Sequence, residues 1–544
     1  MRCMNEKEMI IAQYNLFDPV SNLIKKGSYI SKKDKFSDQT WDNYKQALFE
    51  RHLFIFGIGN GFDYYMTRYN GKEIRGVIDN DIKSQGMKLS RILPRESYNA
   101  YGHLCVSDIS ILNEYNPDEI VVLVTSLKYY EQIFEQLETY GIKRKFSLMC
   151  MEANSRRGDL SKTKEIIYSQ KQKERDWEIN NNKIVFINQN TYCGHGKYIT
   201  EQLLKRREDL DIVWVVNDIT IDVPDGIRLI STRNRSAYYY EMETAKMWVS
   251  DYCVHTFLTK RQGQIFVMVK HWSSITLKSF ALDVLKFKNE TSPERLSEYS
   301  GENMDYIIVG SELDEKSCRS GFNFKGEAYY AGSPRSDILF HPQDIREKIC
   351  EQYHIDQGCR ILMYAPTYRY SPVVFAKWEA RNIELDYEQV KQTLEKRFGG
   401  KWCILLRLHP TVIKESYGIK KPEYVINVSE HPDSQELVAV SDIMITDYSS
   451  IMFEPAFVKK PVFLFATDRK EYINGERELL IDYDTLPFPI AESNEELVQK
   501  IQDFNRQEYE EDITKFLDKY GVHEDGHASE RAAEFIVDMI DNKK

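Results

Sequence analysis

Short apolar runs rich in Val, Ile, Leu and Phe alternate along the chain with longer stretches whose apolar positions fall three and four apart, and Gly, Pro, Asn, Asp and Ser sit at the joins. Runs of this kind separated by helix-length segments predict strand–helix units of a parallel sheet. Residues 1–48 stand outside the pattern: they are polar and Lys-rich, their helical periodicity is broken, and they read as a leader that packs on something else. The pattern sharpens at Leu53-Phe-Ile-Phe-Gly-Ile-Gly-Asn-Gly61, an apolar strand entering a glycine-rich turn, and continues through Ile74-Arg-Gly-Val-Ile-Asp79, Ile120–Val124 and Lys145–Met149. A small Rossmann-like α/β domain over 49–155 is expected, followed by a charged linker over 156–182 with no apolar period.

A second α/β region, 183–335, follows. Strands are expected at Lys183–Asn188, Ile212–Val216, Trp248–Ser250, Gln264–Val269 and Tyr306–Val309, with helices at Tyr198–Arg207, Tyr238–Met247 and Ser279–Lys286. Gly194-His-Gly196 reads as a turn, and Lys260-Arg-Gln-Gly263 as a basic turn before the strand that delivers His271. A third region, 336–544, has strands at Arg360–Tyr364, Trp402–Leu406, Tyr424–Asn427, Ile443–Ile445 and Val462–Phe465. The last two regions form the expected GT-B-like pair of Rossmann-like domains, with an acceptor on the first and a donor on the second. The smaller α/β domain precedes them.

Bulk composition narrows the function. A formal net charge of −11 argues against nucleic acid as a partner, because neutralising phosphates needs a basic face. No apolar run approaches the roughly 18–20 residues that span a bilayer, and no signal peptide is recognised. Nine cysteines without a CxxC pair suit a reducing cytoplasm better than a disulfide framework or a structural zinc. The basic stretches Arg156-Arg157 and Lys171–Arg175 are either solvated linker or a contact with an anionic membrane surface.

Candidate chemistry gathers at strand ends. In Ser441-Asp-Ile-Met-Ile-Thr-Asp-Tyr-Ser-Ser-Ile-Met-Phe-Glu454, residues Asp447, Ser449 and Ser450 fall where a strand hands over to a helix, the place at which open parallel sheets bind ligands and favour an anion such as phosphate. As helix N-caps alone the same residues are equally well explained. Thr367 and Arg369 close an earlier strand, Arg407 and His409 the next, and Tyr472 with Arg477 follow. Arginine forks and hydroxyls converging there are what a pyrophosphate needs. Glu454 would meet a ribose or polyol hydroxyl, or cap its own helix. In the small domain Gly57, Gly59 and Gly61 form GxGxG, with Phe62 where a third dinucleotide-type glycine belongs, and Asp79 lies 22 residues after Gly57. Nucleotide binding there competes with a scaffold or docking role, and Asp79-Asn80-Asp81 is a DxD motif or a strand-end turn. No Ser-His-Asp order, HExxH or Walker loop is present.

Tyr364-Ala-Pro-Thr-Tyr-Arg369, Arg407-Leu-His409, Thr446-Asp-Tyr-Ser-Ser-Ile-Met-Phe-Glu454 and Asp525-Gly526 with Ala528-Ser529 and Arg531 resemble the CDP-glycerol:poly(glycerophosphate) glycerophosphotransferase family. Ala245-Lys-Met-Trp-Val249, Lys260-Arg-Gln-Gly-Gln264 and Gly332-Ser-Pro-Arg-Ser-Asp337 agree with it in order, so the resemblance covers roughly 183–535. It implies transfer of glycerol phosphate, or a polyol phosphate such as ribitol phosphate, from a CDP-activated donor, with release of CMP. It further implies two important histidines, which map onto His271 and His409. The family's Trp-His-Gly-like pattern is altered here: Lys270 stands where Trp is expected, Trp272 where a small residue is expected, and Lys278 sits about one residue late. His195 and Lys278 are acceptor-side candidates. Arg477, Ser449 and Ser450 would stabilise the leaving CMP.

The partners implied are CDP-glycerol or CDP-ribitol, a polyprenyl-linked or glycan acceptor, the inner face of the cell membrane and, for self-association, a second copy of the chain. Mg2+ would suit a pyrophosphate donor, although no ligand set is visible. Two rival readings stand beside this one. The first is a nucleotide-sugar glycosyltransferase of the same fold; the second is a non-catalytic donor-binding subunit of a polymer-assembly complex, motivated by the altered surroundings of His271.

Overall fold

The structure, a computed structural model, describes residues 36–541 except 60, 63–64, 67–72, 92–97, 156–176, 189–190, 232–234, 253–259, 278–300, 302, 368, 372–376, 380–384, 410–420 and 476–478. The basic stretches Arg156-Arg157 and Lys171–Arg175 and the expected helix Ser279–Lys286 lie outside the described residues. The described residues fall into two compact units, one drawn from Met1–Thr191, Asp209–Trp248 and His255–Gln264, the other from Tyr192–Glu208, Val249–Val254 and Ile265–Lys544.

In the first unit, strands β1 (His52–Phe56), β2 (Ile74–Ile78), β3 (Val106–Ser107), β4 (Ile120–Val124) and β5 (Lys145–Ser147) form a parallel sheet in the order β3-β2-β1-β4-β5. Every residue of β4, Ile-Val-Val-Leu-Val, is buried, as a strand covered on both faces requires. Phe36, Tyr44 and Leu48 enter the same core. The helix Trp41–Ala47, N-capped by Thr40, therefore packs into this unit.

Strand order reverses between β1 and β4, and the glycine-rich turn stands there. Gly57 has φ +101°, and Thr125 Oγ1 donates to Phe56 O at 3.1 Å and Gly57 O at 2.5 Å. Asp79 closes the turn: its Oδ2 accepts Ile58 N–H at 3.0 Å and its Oδ1 accepts Asp81 N–H at 2.8 Å. A Cβ at Gly61 would lie 1.9 Å from Thr125 O, while one at Gly59 would meet nothing within 4 Å. Two of the three glycines thus answer backbone needs of the turn, and both Asp79 oxygens hold amides.

The same unit holds β6 (Asn180–Ile187), β7 (Asp211–Val216) and β8 (Ile227–Ser231), parallel neighbours in chain order. Here burial is reconciled with charge by pairing. Arg228 reaches Asp211 at 2.9 and 3.0 Å and Glu241 at 2.6 and 3.0 Å, and Lys183 Nζ lies 2.8 Å from Glu241. The expected Tyr238–Met247 helix instead spans Arg235–Thr244, and β9 (Ala245–Ser250) begins at once. Gln264 explains the early stop: its amide donates to the carbonyls of Met242, Glu243 and Ala245 at 2.7, 3.3 and 2.6 Å, satisfying oxygens that another helical turn would have used.

In the second unit, β10 (Ile265–Met268), β11 (Tyr306–Val309) and β12 (Glu327–Tyr330) pair in parallel. The larger sheet contains β13 (Arg360–Ala365), then, beyond a short antiparallel hairpin of β14 (Arg369–Ser371) and β15 (Lys377–Glu379), β16 (Trp402–Leu406), β17 (Val425–Asn427), β18 (Ile443–Thr446), β19 (Val462–Phe465) and β20 (Ile490–Ala491). Its order is β17-β16-β13-β18-β19-β20, so the direction of winding reverses between β13 and β18. The helix Ala528–Ile540 is anchored from far away in sequence. Asp337 accepts from Ala528 N at 3.0 Å and Ser529 N at 2.7 Å, serving as a remote N-cap. Arg531 grips Asp525 at 2.7 and 3.0 Å and Ala331 O at 2.9 and 2.7 Å.

Gly59 and Gly61 of the turn make a direct contrast. Gly61→Ala is expected to destabilise the first unit by about 1–3 kcal/mol, the usual range for overpacking, because a backbone carbonyl cannot swing aside. Gly59→Ala should be neutral or slightly stabilising. Chemical denaturation followed by tryptophan fluorescence separates the two, and equal effects would contradict the packing described here.

Candidate functional site

The reversal between β13 and β18 brings two of the sequence candidates together. Asp447, just past β18, accepts Thr367 N–H from just past β13 at 2.8 Å and its own neighbour Tyr448 N–H at 2.7 Å through the same Oδ1. Tyr448 is fully buried; its ring stacks on Tyr472 at 3.8 Å and its hydroxyl donates to Asp468 at 3.0 Å. These contacts fix the backbone that presents Ser449 and Ser450. Ser449 Oγ accepts Ile451 N–H at 3.4 Å, so the capping role is occupied. Ser450 faces the loop after β10: its hydroxyl lies 3.1 Å from Thr276 Oγ1 and accepts Leu277 N–H at 3.0 Å. Glu454, one turn on, is fully buried, and burial raises its pKa against the pull of Arg335.

The loop after β10 carries His271, whose side chain is exposed. Arg335 joins it to the β18 segment. One guanidinium nitrogen donates to His271 O at 2.5 Å, the other to Glu454 Oε1, and the Arg335 backbone N–H points at His195 Nδ1 at 3.4 Å. His195 Nε2 lies 2.8 Å from Trp272 O. With Nδ1 accepting, the proton of neutral His195 sits on Nε2 and is donated to Trp272. Burial, reinforced by the positive charges of Arg335 and Lys270, pushes the His195 pKa well down, so the ring stays neutral. His195 is not in the expected turn: it lies in the first turn of the helix Gly194–Arg206, completely buried, which makes it a strut for the His271 loop.

Two further clusters border these residues. Glu524 bonds Ser274 Oγ through one oxygen and accepts Ser333 N–H at 3.0 Å through the other. Burial pushes its pKa up to about 7. Lys197, on the same helix as His195, donates to Asp433 at 2.8 Å and Glu436 at 2.7 Å, while Tyr198 donates to Asp433 at 2.9 Å and His431 Nε2 meets Glu436 at 2.9 Å. The bonds from His431 and Lys197 outweigh burial and hold Glu436 down at about 2.

Arg407, at the end of β16, is spent on carbonyls, donating to Val428 O at 3.2 Å and His431 O at 2.8 Å. His409 lies exposed two residues further. The backbone of Arg369 opens β14. Lys278 and Arg477 lie outside the described residues. Gly57, Gly59, Gly61 and Asp79 belong to the first unit's turn. Among the described residues no cluster of three or more His, Cys, Asp or Glu side chains is placed to hold a metal. The acids of the site fit Mg2+ poorly, since Asp447 Oδ1 holds amides and Glu454 holds a guanidinium. Sequence reading passed over Arg335, Glu524, Lys197 and Asp314. Only Arg335 had a local signal, within Gly332-Ser-Pro-Arg-Ser-Asp337, and nothing there announced its partners.

Comparison with known proteins matches residues 168–538 to the CDP-glycerol:poly(glycerophosphate) glycerophosphotransferase family. A teichoic acid poly(glycerol phosphate) polymerase of Staphylococcus epidermidis is 27% identical over 432 residues, covering 75% of this chain; the chain spans only 58% of that relative's length. A teichoic acid glycerol-phosphate transferase of Staphylococcus aureus is 27% identical over 367 residues, 63% of this chain and 90% of the relative. A solved structure of the wall teichoic acid polymerase TagF is similar with a TM-score of 0.60 at 26% identity, covering 70% of this chain and 96% of that one. The GT-B-like α/β class expected from the strand pattern is borne out. No helix among the described residues is long and apolar enough to cross a membrane.

Glu524 supplies a pH signature. Its carboxyl ionises near 4.5 when exposed and near 7 in the folded chain, so between those values the folded state holds one proton more than the unfolded state. Its stabilising contribution is complete below about 4.5 and is lost as pH rises through about 7. Glu524→Gln should therefore gain stability relative to the parent from pH 5 to pH 8, by on the order of 1–3 kcal/mol. Urea midpoints across that range check this, and a difference independent of pH would contradict it.

Proposed function

Because the chain belongs to the CDP-glycerol:poly(glycerophosphate) glycerophosphotransferase family, we propose that it transfers glycerol phosphate, or a related polyol phosphate such as ribitol phosphate, from a CDP-activated donor to a lipid-linked or glycan acceptor. Residues 336–544 take the donor and 183–335 the acceptor. The donor's diphosphate is held by Thr367, Ser449 and Ser450 at the β13/β18 edge, with Arg407 and Asp447 supporting that edge, and Arg369 and Arg477 remain donor-binding candidates. Glu454 orients Arg335 beside them. An acceptor hydroxyl gives its proton to His271 as its oxygen attacks the phosphorus distal to cytidine; a new phosphoester forms, the pyrophosphate bond breaks and CMP leaves. His409 hydrogen-bonds or protonates the departing phosphate. In this reading His195 braces the His271 loop, Lys278 remains an acceptor-side candidate, and Gly57, Gly59, Gly61 and Asp79 serve a scaffold. The protein works as a peripheral protein on the inner face of the membrane, where a polyprenyl-linked acceptor is within reach.

One observation supports this reading most strongly. Arg335 ties the His271 carbonyl to Glu454 while Ser450 meets Thr276 and Leu277, so a candidate base and a candidate phosphate-binding loop share one frame although they come from distant stretches of sequence. An ordinary helix cap would need neither tie.

Thermal melts with CDP-glycerol, CDP-ribitol, CDP and UDP-sugars test the donor. A CDP-polyol at 100 times its Kd should stabilise the protein by about 2.7 kcal/mol. Stabilisation by UDP-sugars alone would overturn the proposal. In CMP-release assays, His271→Ala and His409→Ala should each lower kcat by roughly 10²–10⁴-fold, the usual worth of a general acid or base.

A further inference from the structure

The residues on either side of His271 share one buried carboxylate. Asp314 lies in the first turn of the helix Glu312–Phe322, fully buried, with its backbone N–H capped by Ser311 Oγ at 3.1 Å. Its Oδ2 lies 2.9 Å from Lys270 Nζ and accepts Gly310 N–H at 3.0 Å; its Oδ1 accepts the indole N–H of Trp272 at 2.8 Å. Lys270 is also fully buried, and its backbone is left-handed at φ +51°, a conformation that costs about 1–2 kcal/mol for a residue with a side chain. The Trp272 ring is stacked on Phe322, with 6.1 Å between centroids and 4° between planes. Residues 270 and 272 are thus both drawn into the interior toward one acid, and the side chain between them is left exposed.

We infer that Asp314 is a positioning residue: by holding Lys270 and Trp272 together it sets the backbone that aims the His271 imidazole at the reacting hydroxyl. This rests on the reading of His271 as the base. The physical case is one of complementary needs. A buried ammonium without a counter-ion is untenable, and a buried indole N–H without an acceptor costs about 1–3 kcal/mol. One carboxylate meets both demands only if the chain turns sharply at Lys270, and that turn is the left-handed residue. The carbonyls of His271 and Trp272 are fixed from the other side by Arg335 and His195, so the tripeptide is held at four points. A displacement of about 1 Å at a reacting group can cost on the order of 10²-fold in rate. Loosening this clamp is therefore expected to act on turnover and not on donor affinity.

The test uses full-length protein with CDP-glycerol, reading kcat and KM for CMP release together with the melting temperature. Asp314→Asn keeps the shape of the acid and its acceptor for Trp272 but removes the counter-ion of Lys270. Trp272→Phe keeps the stacked ring and removes only the N–H, and it decides the matter if Asp314→Asn does not fold. Each should lower kcat, about 10–100-fold for Asp314→Asn and less for Trp272→Phe, with KM for the donor within about twofold of the parent. In a His271→Ala background the same substitutions should cause no further loss, because there is no imidazole left to aim. Unchanged kcat in a folded variant, a rise in KM matching the fall in kcat, or an equal loss in the His271→Ala background would each overturn the positioning role. Full CMP release by His271→Ala alone would instead remove His271 as base, an outcome read separately from the effect of Asp314→Asn in the parent.

Discussion

The Arg335 guanidinium is the constraint on which the site depends. Glu454 is fully buried, and a carboxylate there would take up a proton unless a cation stood against it. Arg335 supplies that cation and, with the other arm of the same planar fork, holds the His271 carbonyl. A lysine could meet one of these demands but not both in a fixed plane. Because the Arg335 backbone N–H also meets His195, and His195 meets Trp272, four stretches remote in sequence are locked to one geometry. Breaking a buried pair of this kind typically costs about 3–5 kcal/mol, since the partner is left charged and unsolvated.

The same device recurs with different residues. Arg228 and Lys183 neutralise Asp211 and Glu241 in the first unit; Lys197 meets Asp433 and Glu436 in the second, and Lys270 meets Asp314. Such pairs return little net stability, because desolvation consumes most of the Coulomb gain. What they do well is exclude alternatives. Any register that separates the partners buries an isolated charge. They suit a protein whose loops must be held in one arrangement at the carboxyl edges of its sheets.

Much of the fold was legible because strands buried on both faces must be continuous apolar runs, as β4 and β19 are. The reversal point was legible as well, since hydroxyls and acids crowd the end of β18. What could not be read locally were choices made by distant partners. The early end of the helix Arg235–Thr244 is imposed by Gln264, the helical state of His195 goes with bonds to Trp272 and Arg335, and Asp79 is claimed by the backbone of its own glycine turn. The tie between Ser450 and Thr276 spans 174 residues, and no periodicity reports a contact at that range.

The altered tripeptide around His271 shows how such couplings mislead a pattern. Taken singly, Lys270 in place of Trp and Trp272 in place of a small residue suggest a degraded motif. In three dimensions they form one change, because a single carboxylate is the counter-ion of Lys270 and the acceptor of the Trp272 indole. Trp272 alone would leave buried Asp314 without a cation, and Lys270 alone would cost Asp314 the indole N–H that its Oδ1 accepts. A departure that carries its own compensation, and that leaves the imidazole between its two halves exposed, is evidence of a loop held for use and not of one abandoned.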